Sequence, residues 1–196
     1  IERPALPHDV PATSFALAPV AGARALMLVS DSKYGFRGTS EGLAITLIRS
    51  SIDPDPWPEI GEHRIRIGIA LVDDNRSAPG LCARAFNHPM HVLPLQQGQQ
   101  GNWPLQHSLF SLQGEGVFLS AVKQSEESGS LVIRLYSVSD QAEAVRLSFW
   151  QKPAQAVLSN LMEQPLPDQE NQPIIDGPSV RLVMKPYSLQ TLCITW

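Results

Sequence analysis

Short runs of Val, Ile and Leu recur along this chain with a period of two, broken every few residues by Gly, Pro, Asp or Asn. That pattern predicts strands over residues 25–29, 42–48, 64–72, 117–124, 130–137, 144–149, 180–184 and 189–195. The alternation is plainest from His63 to Ile69. Ile65, Ile67 and Ile69 fall on one face and Arg64 and Arg66 on the other, because successive strand side chains point to opposite sides. The isoleucine face is expected to pack on a second sheet. Glu126-Glu127-Ser128-Gly129 lies between two apolar runs and reads as a hairpin turn, with Gly129 supplying the positive φ such a turn needs. Residues 79–85 have room for a turn of helix, and residues 154–162 place Val157, Leu158, Leu161 and Met162 at helical spacing.

The fold class expected is all-β, a β-sandwich. Residues 95–102, Leu-Gln-Gln-Gly-Gln-Gln-Gly-Asn, hold almost nothing for a core and read as a mobile loop at a domain boundary, giving domains over 1–104 and 105–196. Residues 165–178 are polar and Pro-bearing, and read as a long loop between strands. No internal repeat is present.

Composition narrows the partners more than the fold. The 196 residues are 43% hydrophobic, enough for a buried core. The formal net charge is −4 and the basic residues are scattered, which argues against nucleic acid and anionic membrane surfaces as partners. No apolar run approaches the roughly 20 residues that cross a bilayer. The chain opens on Ile1 without an initiator Met, so an upstream segment is expected, and a leader there stays open. Two cysteines, Cys82 and Cys193, make no disulfide framework and fit a reducing, cytoplasmic compartment.

Motifs in the first third carry the most information. Asp31-Ser32-Lys33-Tyr34-Gly35-Phe36 is followed by Leu47-Ile48-Arg49-Ser50, by Asp53-Pro54-Asp55-Pro56 and by Gly61-Glu62-His63. In order and spacing they resemble the C-terminal β-rich region of the glycoside hydrolase family 38 α-mannosidases. Ile1-Glu2-Arg3-Pro4, Ala85-Phe86-Asn87-His88-Pro89, the runs at 118–123 and 131–136, Asn160-Leu161-Met162-Glu163 and the run at 186–192 extend the resemblance along nearly the whole chain. Residues 5–20, Gln124 and Ser125 depart from it. The resemblance implies a large β-supersandwich followed by a smaller C-terminal sandwich, with a strand around Asn160–Glu163. It also implies that the zinc ligands and catalytic carboxylates belong to a preceding catalytic domain of the same polypeptide. This stretch is then expected to have no catalytic residue, no metal and no cofactor of its own.

By that resemblance, Asp31, Lys33, Tyr34, Arg49 and Asp55 are candidates for the rim of a cleft holding an α-mannoside. From the residues alone, the 31–35 segment is a turn in which Asp31 and Ser32 bond local amides and Gly35 is left-handed. Arg49 alone reads as an ion pair with Asp53 or Asp55, while a planar guanidinium also suits sugar hydroxyls. Trp57 reads as a loop anchor before a sugar platform. Cys82, His88 and His91 are close in sequence, but Pro89 and the lack of a paired motif argue against zinc. Asp73-Asp74-Asn75 reads as a solvated turn. Four readings remain: a non-catalytic part of an α-mannosidase, the same region of a mannosylglycerate hydrolase, an autonomous carbohydrate-binding or adhesive sandwich, and a purely structural module without ligand contact. A self-associating fragment is expected, because a cut interface leaves apolar surface exposed.

Overall fold

The computed structural model describes residues 8–50, 53, 55–94, 101–102, 104–126, 129–167 and 170–196. The chain divides into two compact units, Ile1–Leu93 and Pro94–Trp196. The first contains β1 (Val10–Pro11), β2 (Phe15–Val20), β3 (Arg24–Ser30), β4 (Gly35–Thr39), β5 (Gly42–Ile45), β6 (Ile67–Asp73) and the helix α1 (Ala78–Asn87). Two antiparallel sheets result, in the orders β2-β3-β6 and β1-β4-β5. Helix α1 starts where Asn75 Oδ1 accepts the backbone N–H groups of Ser77 and Ala78, at 2.9 and 2.7 Å, and Pro79 sits in its first turn, where a missing N–H costs nothing.

Strand β6 reverses one expectation. Gly68, Ala70 and Val72 form its covered face, and the core there joins Ala70 and Val72 to Met27 and Val29 of β3 and to Ala83 and Phe86 of α1. Ile67, Ile69 and Leu71 face the other way and are 36%, 77% and 50% exposed. Small side chains decide the matter. A Cβ on Gly68 would lie 2.8 Å from a methyl of Val29 and 2.9 Å from the Phe86 ring, so a branched residue there would push the helix away. The alternation assigned the isoleucine face to the core, and the structure covers the small-residue face instead.

The second unit contains β7 (Phe110–Gln113), β8 (Val117–Gln124), β9 (Leu131–Ser137), β10 (Glu143–Phe149), β11 (Gln155–Ser159), β12 (Ile174–Asp176), β13 (Ser179–Met184) and β14 (Leu189–Thr195). They make two four-stranded antiparallel sheets, β12-β13-β10-β7 and β11-β14-β9-β8. Val145, Leu147, Val180, Leu182 and Met184 of the first sheet meet Ile133, Leu135, Leu158, Leu192 and Ile194 of the second in one buried core. This is a β-sandwich, as the alternation predicts.

The expected strands at 117–124 and 189–195 coincide with β8 and β14, while the expected strand at 42–48 ends at Ile45. Residues 154–162 give the strand β11 followed by a turn, so the strand expected around Asn160–Glu163 lies ahead of it. Asn160 Oδ1 accepts the N–H groups of Met162 and Gln164, and Glu163 takes a φ of 65°. The long loop at 165–178 contains β12. Of the hairpin turn at 126–129, residues 127 and 128 lie outside the described residues, while Ser125 N–H donates to Ser130 O at 2.8 Å and Gly129 has a φ of 68°. Ile1-Glu2-Arg3-Pro4, most of the 95–102 segment and Pro54 also lie outside the described residues.

Candidate functional site

The turn after β3 is built by Ser30, a residue the motif reading passed over. Its buried Oγ accepts the backbone N–H groups of Ser32 at 3.3 Å and Lys33 at 3.0 Å. The Asp31 carboxylate is thereby spared capping and pairs with Arg66 Nε at 3.4 Å. Arg66 in turn lies 4.6 Å from the centroid of the Phe86 ring and donates to the Phe86 carbonyl, so Asp31 is tied to the helix-bearing core. Gly35 is not left-handed. It opens β4, and its use is close approach, since a Cβ there would lie 3.2 Å from Asp9 Oδ2 and 3.4 Å from Thr46 Cβ.

Two backbone bonds bring the second motif group to the first. Thr46 N–H donates to Gly35 O at 2.9 Å and Asp31 N–H donates to Arg66 O at 3.5 Å. Both ends of the irregular connection from β5 to β6 therefore flank the 31–34 turn. Tyr34 is 58% exposed and Lys33 half-buried, and among the described residues the Lys33 ammonium has no partner. Arg49 is exposed near the start of the connection and makes no ion pair with Asp53 or Asp55 among the described residues. Asp55 Oδ1 accepts Trp57 N–H at 2.9 Å, which shapes a turn and leaves the Trp57 ring 76% exposed rather than anchored. The fold thus gathers Asp31, Lys33 and Tyr34 on one turn beside the roots of the loop that carries Arg49 and Asp55. No described contact joins Arg49 or Asp55 to that turn.

Cys82 and His88 have structural surroundings. Cys82 packs against the core beside Phe86, and His88 ends α1 with its N–H donating to Arg84 O at 2.8 Å. Among the described residues no three His, Cys, Asp or Glu side chains converge as metal ligands.

In the second unit a groove of about 890 Å³ runs between the outer face of the β11-β14-β9-β8 sheet and the 161–167 segment. Its ion-pair latch is Lys123, whose Nζ lies 2.8 Å from Glu163 and 2.9 Å from Glu126. The hydrogen bonds that Lys123 donates to Glu126 and Glu163 raise its pKa, and the bonds from Lys123 and Ser125 hold Glu163 below its ordinary value.

Residues 116–192 match the glycosyl hydrolases family 38 C-terminal beta sandwich domain. Over that span the chain is similar to the C-terminal region of glycoside hydrolase family 38. Similarity to known proteins extends beyond that span. The chain is 26% identical over 175 residues to alpha-mannosidase 2C1 of Homo sapiens and 25% identical over 179 residues to that of Mus musculus. Each alignment takes 86% of this chain and 16% of the relative, so the chain spans about a sixth of the length of these curated relatives. A family 38 protein from Enterococcus faecalis superposes on 99% of this chain and 23% of its own, with a TM-score of 0.72 at 18% identity, which extends the shared fold to both units. No described helix is long and apolar enough to cross a membrane.

Proposed function

We propose that this chain is a non-catalytic C-terminal portion of an α-mannosidase, completing the enzyme's fold and lining the rim of its active-site cleft. Residues 1–104 then belong to the larger sandwich and 105–196 form the small terminal one. The parent enzyme is read as a cytoplasmic, zinc-dependent retaining glycosidase, in which one carboxylate attacks the sugar and a carboxylic acid protonates the leaving oxygen. Both groups and the zinc belong to the catalytic domain, the partner of this chain in the same polypeptide. Arg49 carries the rim assignment: exposed, without an ion pair among the described residues, and on a loop whose roots flank the 31–34 turn. Five N–H donors on a flat guanidinium suit the hydroxyls of an α-mannoside.

The test is Arg49→Ala in the full-length enzyme. We expect kcat/KM on an α-mannoside to fall by more than about tenfold, equal to roughly 1.4 kcal/mol, with the melting temperature unchanged. Lys33→Ala should act in the same direction and more weakly, because an ammonium is a less directional donor. An unchanged kcat/KM with a lowered melting temperature removes Arg49 from the cleft.

One observation favours the reading of an autonomous carbohydrate-binding sandwich. Trp150 and Trp196 stack at 4.9 Å with an interplanar angle of 26°, and both rings are about half exposed, an aromatic surface of the kind pyranose rings pack on. Binding of mannose oligomers by the chain alone, lost in Trp150→Ala, would support that reading.

A further inference from the structure

The outer face of the β12-β13-β10-β7 sheet carries an arrangement that sandwich stability does not call for. Strand registers align Ile174 with Arg181, Arg181 with Arg146, and Arg146 with Gln113, so one transverse row crosses all four strands with two arginines side by side at its centre. Like charges directly opposite in an antiparallel pair are destabilising. Only part of that charge is met. Asp176 lies 3.3 Å from Arg181 Nη2, while Arg146 spends only its Nε, donated to Ser179 Oγ at 3.0 Å. The terminal nitrogens of Arg146 have no protein partner among the described residues.

A shallow cavity of about 450 Å³ opens over this row, lined by Arg146, Arg181, Gln113, Asn171, Ile174 and Val183 among others. Ser179 Oγ also lies 3.1 Å from Ser148 Oγ, so the group that orients Arg146 is itself held. We propose that this face is a binding site for a small oxyanion-bearing ligand, a phosphate monoester or an ionised carboxylic acid. The Arg146 and Arg181 guanidiniums grip the anionic group, and Gln113 and Asn171 meet its neutral polar part. A guanidinium offers parallel N–H donors at the spacing of two oxygens of a phosphate or carboxylate, and a second one beside it neutralises a dianion. The site lies within the second unit and does not depend on the α-mannosidase reading.

Titration of the chain with inorganic phosphate and, separately, with acetate at low ionic strength tests the site and distinguishes the two sources of the anion. Saturable one-to-one binding of phosphate or of acetate, followed by calorimetry, is expected. Arg146→Ala and Arg181→Ala should each weaken it by about tenfold or more. Arg146→Lys should also weaken it, because an ammonium lacks the fork. Asp176→Asn should tighten it by releasing Arg181. Both arginines are exposed, so the variants should keep the circular dichroism spectrum of the parent chain. Absence of saturation with both anions, or equal affinity in the Arg146→Ala/Arg181→Ala double variant, overturns the proposal.

Discussion

Glu163 shows how one side chain can fasten two segments 37 residues apart. Its carboxylate takes the Lys123 ammonium at 2.8 Å and the Glu126 N–H at 3.2 Å, joining the turn after β11 to the end of β8. Its pKa is lowered from 4.5, so its contribution to stability is full above that value and is lost as pH falls through the lower, folded-state pKa. Lys123 is raised from 10.5, so its contribution is full below that value and is lost as pH rises through the higher, folded-state pKa. Between the two the latch is intact. Glu163→Gln should therefore flatten the acid limb of a plot of melting temperature against pH below about pH 5, and leave the alkaline limb governed by Lys123 with Glu126. A differential scanning fluorimetry series reads this directly, and an unaltered acid limb would assign the acid sensitivity to other carboxylates. The roles of Ser30 and Arg66 were not legible in the sequence. Which hydroxyl caps a turn and which carboxylate pairs with which arginine depend on approach angles that spacing does not carry.

At the scale of elements, β6 and α1 depend on the absence of a side chain at residue 68. Val29 and the Phe86 ring occupy the space a Cβ would need. Gly68→Ala should destabilise the first unit by about 1–3 kcal/mol through overpacking, despite the usual gain from removing a strand glycine. Chemical denaturation monitored by circular dichroism measures the loss, and a stabilised variant would show that α1 slides freely over β6. The strands of the second unit were more legible than those of the first. β10 alternates core residues with exposed or half-buried ones and β9, β13 and β14 carry runs of apolar core residues, whereas β1 is two residues long and β2 carries Pro19. Strand β12 is three residues long and sits in a polar, Pro-bearing stretch, too short for a period to register.

For the molecule as a whole, the exposed Ile67, Ile69 and Leu71 are the feature most in need of a partner. They continue the row of Leu26 and Leu28, to which Leu71 and Ile69 are paired across β3 and β6. Leu28 is buried and its neighbours on β6 are not. In the isolated chain this surface should drive self-association, rising with concentration in analytical ultracentrifugation. Ile69→Lys with Leu71→Lys should return the chain to a monomer without loss of strand content. A wild-type chain that stays monomeric and binds no hydrophobic dye would mean that this face needs no cover.

The sequence by itself determined the β class, most strands of the second sandwich and the resemblance to family 38, because alternation, turn residues and motif order are local and survive without knowledge of contacts. It also placed Asp31, Lys33 and Tyr34 on one turn. Tertiary structure decided the rest. It chose the glycine and alanine face of β6 for the core because only small side chains admit the helix, and it bound Asp31 to Arg66 while leaving Arg49 unpaired among the described residues. It also set Arg146 beside Arg181, which are 35 positions apart in the chain. Burial and pairing are properties of what lies opposite a residue, and a linear pattern does not say what that will be.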